Sequence, residues 1–129
     1  MQPKILLVDD SSTTLLMEEM LLREYTKFDV VLARDGREAV EKALAEQPSM
    51  VLMDVIMPKM DGFAACREMR CHEKLRNVPI ILITSRGELQ NIEKGFESGC
   101  NDYLTKPIQS QKLIEIVNQY LAVKGAISG

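Results

Sequence analysis

This chain of 129 residues predicts an α/β fold, a doubly wound open sheet of parallel strands with helices on both faces. Two observations carry that prediction. Short apolar runs alternate along the chain with amphipathic stretches at helical spacing, the pattern of repeated βαβ units. The runs are also continuously apolar rather than alternating, as expected of strands covered on both faces. Right-handed crossovers then leave the doubly wound open sheet as the simplest arrangement.

The elements follow in order. "KILLV" (4–8) is the first strand, and "STTLLMEEMLLREY" (12–25) is a helix opening on residues suited to capping. "DVVLA" (29–33) is the second strand, and "DGREAVEKALAE" (35–46) sets Ala39, Val40, Ala43 and Leu44 on one helical face. "MVLMD" (50–54) is a third, buried strand, followed by the helix "DGFAACREMR" (61–70) with Asp61 as its cap. "PIILIT" (79–84) is a fourth strand, with Pro79 at its first position, where a proline is tolerated. "GELQNIEKGFES" (87–98) is a weaker helix stopped by Gly99 in a left-handed cap. "DYLT" (102–105) is a short fifth strand. A last helix near 110–122 carries Leu113, Ile116, Val117, Tyr120 and Leu121.

Composition narrows the class. Apolar residues make up 46% and charged residues 27%, which excludes a disordered chain, a coiled coil or a membrane protein. No apolar run approaches the roughly 20 residues that span a bilayer. "MQPKILLVDD" lacks the signature of a secretory signal, so a cytoplasmic location is the expectation. Cys66, Cys71 and Cys100 form no CxxC pair, which argues for reduced thiols rather than a disulfide framework or zinc site. A net charge of −3 without a basic block gives no footprint for nucleic acid. With no repeat or linker, residues 1–122 read as one domain and 123–129 as a frayed tail.

In an open parallel sheet, function collects beyond the carboxyl ends of the strands. Those ends carry Asp9 and Asp10 after the first strand, Asp54 at the third, Thr84 at the fourth and Lys106 just past the fifth. Clustered carboxylates short of cations suit a hard divalent ion, magnesium above all. A carboxylate can also act as nucleophile and form an acyl phosphate, with Lys106 and the metal offsetting the phosphoryl charge and Thr84 donating to it. Taken singly, each residue has an ordinary reading: an Asp–Asp pair or Asp54 as a cap, a structural threonine, a solvated lysine. Their joint placement on one sheet edge favours the site.

The motifs "ILLVDD" (5–10), "MDVIMPKMDG" (53–62), "IILITS" (80–85) and "DYLTKP" (102–107) together resemble the receiver domain of two-component response regulators, specifically the chemotaxis-type single-domain receiver, over about residues 3–122. The resemblance implies a flavodoxin-like sheet of order 2-1-3-4-5 flanked by five helices. It implies that Asp54 is the phosphoacceptor, taking its phosphoryl group from a sensor histidine kinase or histidine phosphotransferase. Asp10 is then a direct ligand of magnesium (or manganese), Asp9 acts mostly through a metal-bound water, and the backbone carbonyl of Ile56 completes the shell together with Asp54. Thr84 and Lys106 bind the phosphate, and the bond before Pro107 is cis. Tyr103 becomes an aromatic switch on the face of the fourth helix, fifth strand and fifth helix, where a downstream protein or a phosphorylation-dependent second copy docks. The module is a signalling phosphoacceptor rather than an enzyme, with neither nucleic acid nor membrane as its partner.

Two positions bear on kinetics. Ile56, two residues past Asp54, offers no polar group to orient a hydrolytic water, so a long-lived acyl phosphate is expected; Arg86, two past Thr84, brings a cation near the site. His72 reads as solvated, and Met50, Met53, Met57 and Met60 as packing residues. Competing readings are weaker. A degenerate receiver acting as a phosphorylation-independent interaction module is disfavoured by the intact acidic set, Thr84 and Lys106. An aspartyl-nucleophile phosphohydrolase of the haloacid dehalogenase type needs an acid where Ser11 stands, and a flavodoxin needs a phosphate-binding loop where Asp9 and Asp10 stand.

Overall fold

The computed structural model describes residues 3–85 and 92–122. Five strands, β1 (Lys4–Val8), β2 (Asp29–Ala33), β3 (Met50–Asp54), β4 (Ile80–Thr84) and β5 (Asp102–Thr105), form one parallel sheet in the order β2-β1-β3-β4-β5. That is the order the resemblance implied. The helices are α1 (Ser12–Tyr25), α2 (Gly36–Glu46), α3 (Gly62–Arg70), α4 (Ile92–Ser98) and α5 (Ser110–Val117), with a short 3₁₀ turn at Glu73–Leu75.

Side-chain alternation along each strand divides the core into two layers. Leu6 and Val8 join Val51, Met53, Ile80 and Leu82 on one face, beneath Ala39, Val40 and Ala43 of α2 and Phe63, Cys66 and Met69 of α3. Ile5 and Leu7 join Leu52, Ile81, Ile83 and Leu104 on the other, beneath Leu15 and Leu22 of α1 and Leu113, Ile116 and Val117 of α5. Coverage on both faces is why β1, β3 and β4 contain so little polar sequence.

Local capping sets where the helices begin. Ser11 accepts from the Thr14 amide at 3.2 Å, Asp35 from Glu38 at 2.8 Å and Asp61 from Ala64 at 2.8 Å. Glu38 reaches back to the Arg34 amide at 2.7 Å, so two donors near the start of α2 are satisfied reciprocally. Gly99 closes α4 at φ +104, where a side chain would be strained.

Two details depart from the expectations. The final helix does not run uniformly to 122: after Val117 the backbone widens into a π turn over Asn118–Ala122. His72, expected to be solvated, is only partly exposed at the turn where α3 passes into Glu73–Leu75. Residues 87–91 of the expected fourth helix, Arg86 and the tail 123–129 lie outside the described residues.

Candidate functional site

Strand register brings the polar ends together. Val8 pairs with Ala33 and Met53, Asp54 with Ile83, and Thr84 with Thr105. Asp9, Asp10, Asp54, Thr84 and Lys106 therefore leave the sheet at nearly one level. Packing fixes them there: Asp9, Asp54 and Thr84 are buried, while Asp10 is exposed.

One oxygen from each of Asp9, Asp10 and Asp54 lies within 4.8 Å of the other two. Lys106 enters the same space, its Nζ 2.9 Å from Asp54 Oδ2 and 3.5 Å from Asp9 Oδ2. The longer contact attracts but is not a hydrogen bond, so Asp9 Oδ2 is buried without a donor. Its Oδ1 accepts from the Ser11 amide at 2.9 Å, which ties the carboxylate to the start of α1. Lys106 is anchored through its own amide, which donates to the Thr84 carbonyl at 2.8 Å, and the Lys106–Pro107 bond is cis.

The loop after β3 closes over the site because Gly62 comes against the backbone of Asp54 and Val55; a Cβ there would meet the Asp54 carbonyl oxygen at 2.5 Å. Gly62 donates from its amide to the Val55 carbonyl at 2.8 Å. Within this loop the Ile56 side chain is 65% exposed, directed away from the packed layers. Thr84 donates to the Ser85 carbonyl at 3.2 Å. Tyr103 stands farther along the edge, half-buried, its hydroxyl donating to the Ile92 carbonyl at 2.9 Å and its ring set edge-on to Phe96 at 5.3 Å.

Electrostatics follow from this geometry. Burial pushes the Asp54 carboxyl above the usual aspartate range, the Lys106 hydrogen bond opposes that, and the Asp9 charge adds to it. For Lys106, burial works against the charged form, but the Asp54 and Asp9 carboxylates outweigh it and hold the ammonium above the usual lysine range. Three carboxylates facing one ammonium leave an excess of negative charge. A buried Asp9 oxygen with no hydrogen-bond donor and three converging oxygen ligands fit a hard divalent cation.

One residue of this neighbourhood escaped the reading of the sequence. Glu18 is buried on the core side of α1 with Leu15 and Leu22, and neither of its oxygens has a hydrogen-bond partner. Burial first, and the Asp9 charge second, push its carboxyl up to about 7. The spacing Leu15–Glu18–Leu22 was the available signal, since those positions share one helical face.

Known proteins are similar to this chain in sequence and fold. A family model for the response regulator receiver domain matches residues 5–118. The DNA-binding dual master transcriptional regulator RpaA of Synechocystis is 34% identical over 119 residues, covering 92% of this chain but only 49% of RpaA. Protein PilH of Pseudomonas aeruginosa is likewise 34% identical over 119 residues, covering 92% of this chain and 98% of PilH. Among solved structures, the receiver domain of the sensor histidine kinase PA1611 of P. aeruginosa, with a magnesium ion coordinated in its active site cleft, superposes with a TM-score of 0.86. It is 34% identical and covers 95% of this chain and 99% of that one. Fold, strand order and matched length agree, and the chain belongs to the response regulator receiver domain family.

Proposed function

We propose that this receiver takes a phosphoryl group on Asp54 and passes the signal on by a change in its surface. The observation that carries the reading is the 2.9 Å contact of Lys106 with Asp54, made where oxygens of Asp9, Asp10 and Asp54 converge. In the proposed step an Asp54 oxygen attacks the phosphorus of a phosphohistidine on a sensor kinase or histidine phosphotransferase. An O–P bond forms, the P–N bond breaks, and the imidazole leaves as a neutral ring once protonated. Lys106 offsets charge on the phosphoryl oxygens. Asp9, Asp10, Asp54 and the Ile56 carbonyl are the groups that would hold magnesium or manganese, which when bound supplies further positive charge against the same oxygens.

Thr84, buried beside Asp54 at the end of the neighbouring strand, is the hydroxyl in reach of the added group. Its movement would free space for Tyr103 and reshape the face of α4, β5 and α5, biasing an equilibrium between two conformations. That face is the proposed surface for a downstream protein or a second copy. DNA binding is a property of RpaA, of which this chain spans about half, and it is not assigned here. Among the described residues no helix is long and apolar enough to cross a membrane, in keeping with a cytoplasmic role.

The test is incubation with magnesium and a small-molecule phosphodonor, followed by intact mass. A single phosphoryl adduct on the wild type and none on Asp54→Asn supports the reading; no adduct on the wild type rejects it.

A further inference from the structure

Asp9 and Asp54 are held in the site by burial, but Asp10 is exposed and packing does not fix it. Lys106 pairs with Asp54 and Asp9 and, among the described residues, makes no ion pair with Asp10. The segment between Val8 and the cap at Ser11 must therefore be steadied through its main chain if the Asp10 carboxylate is to stay beside the other two. That support comes from the neighbouring strand. Val8 pairs with Ala33, and the Asp9 amide donates to the Ala33 carbonyl at 3.1 Å, so Arg34 leaves β2 level with the acidic pair. Its Nη2 donates to the Asp10 carbonyl at 3.2 Å.

Arg34 stands on a loop that is itself braced. Its amide donates to Glu38 Oε1 at 2.7 Å, and Glu38 Oε2 lies 3.5 Å from Lys42 Nζ. Lys42 in turn donates to the Leu32 carbonyl at 2.8 Å, which ties the end of β2 to α2. On the other side Gly36 is packed against the loop after β3, where a Cβ would overlap the Met60 carbonyl oxygen. Asp35 Oδ2 also lies 3.7 Å from Lys59 Nζ in that loop. Residues 34–38 thus touch the segment that carries Asp10 and the loop that follows Asp54.

We propose that Arg34 is a positioning residue for the metal site: by holding the Asp10 main chain it keeps that carboxylate on the point shared with Asp9 and Asp54. The inference rests on the proposed function, which has these three carboxylates hold a divalent cation. Magnesium demands near-ideal octahedral geometry, so a displaced ligand weakens its binding. Groups that orient metal ligands are accordingly worth on the order of tenfold or more in affinity. A rival effect has the opposite sign. As a bare charge, the guanidinium would repel a cation, and its removal would tighten binding. Geometry favours positioning, because Arg34 bonds the Asp10 carbonyl and leaves the carboxylate oxygens to the metal. Solvent at this exposed edge screens the charge effect.

The test is a calorimetric titration of the unphosphorylated chain with magnesium, which needs no phosphodonor. Arg34→Ala should bind magnesium on the order of tenfold more weakly than the wild type. Its melting temperature without metal should stay close to the wild type's, since the lost hydrogen bond is exposed. Arg34→Lys, which keeps a donor on a long stem, should recover most of the affinity. Unchanged or tighter binding in Arg34→Ala would overturn the proposal. So would a loss of affinity that comes with a matching loss of thermal stability and no recovery in Arg34→Lys, the mark of a merely structural contact. A wild type that binds no magnesium would overturn the metal site and this inference together, whereas wild-type binding that Arg34→Ala leaves intact overturns this inference alone.

Discussion

Lys106 Nζ lies 2.9 Å from Asp54 Oδ2, although the two are 52 positions apart in sequence and β4 stands between β3, which carries Asp54, and β5, which Lys106 follows. The contact crosses a full strand because Lys106 projects from the turn beyond β5 rather than from the strand itself. On the proposed function the same Asp54 oxygens would also face a metal ion. Lys106 would then both assist Asp54 and compete for it.

That dual role predicts a split response in Lys106→Ala. Losing the ammonium removes a competitor, so magnesium should bind as tightly or more tightly in a calorimetric titration. Losing it also removes charge stabilisation, so adduct formation should slow by on the order of a hundredfold. Weaker metal binding together with an unchanged rate would contradict the assignment.

Glu18 predicts a pH dependence of stability. Its folded carboxyl stands near pH 7 against an ordinary value of 4.5. Between those pH values the folded state keeps a proton that the unfolded chain has released. Wild-type stability should thus fall as pH rises from 4.5 to 7 and level off above, by up to about 3 kcal/mol from this residue. Urea unfolding of wild type and Glu18→Gln across that range should show the two nearly equal at the acid end, with the glutamine variant ahead at pH 7.5. A difference independent of pH would contradict the burial argument.

Gly95 predicts a change of sign. A Cβ at this position would overlap the Tyr103 hydroxyl that donates to the Ile92 carbonyl. Gly95→Ala should destabilise the wild type by about 1–3 kcal/mol, the usual cost of overpacking. In a Tyr103→Ala background the obstacle is gone, and alanine's helix preference should make the same change neutral or stabilising by up to about 1 kcal/mol. A denaturant double-mutant cycle measures the coupling, and additivity would refute the steric account.

Ile56 predicts a long-lived acyl phosphate. Its side chain is apolar and exposed beside the acceptor, with nothing to orient water. Ile56→Asn should speed phosphate loss on the order of tenfold in a time course by intact mass. An equal or slower rate in the variant would remove this explanation.

Much of this was legible in the sequence, for reasons that also mark the boundary. Strands buried on both faces reveal themselves as apolar runs, which is why the burial of Leu6, Leu52 and Ile81 is legible in the sequence. Asp9, Asp10, Asp54, Thr84 and Lys106 stood out because each follows such a run. Glu18 was hidden in an acidic pair on a helix whose outer face is also apolar, so charge alone suggested solvent although its spacing from Leu15 and Leu22 pointed inward. The Gly95–Tyr103 notch is a contact between separate elements, and no local pattern announces it. The π turn after Val117 likewise interrupts a run of Tyr120 and Leu121 that still reads as regular helix.

The central claim is that Asp54, rather than its acidic neighbours, receives the phosphoryl group. Borohydride reduction of the phosphorylated protein converts an aspartyl phosphate to homoserine, whose position is then read by peptide fragmentation. Homoserine at position 54 alone, formed with magnesium and lost when the metal is chelated, is the predicted result. Homoserine at position 9 or 10, or an equal yield at 54 without metal, would contradict it.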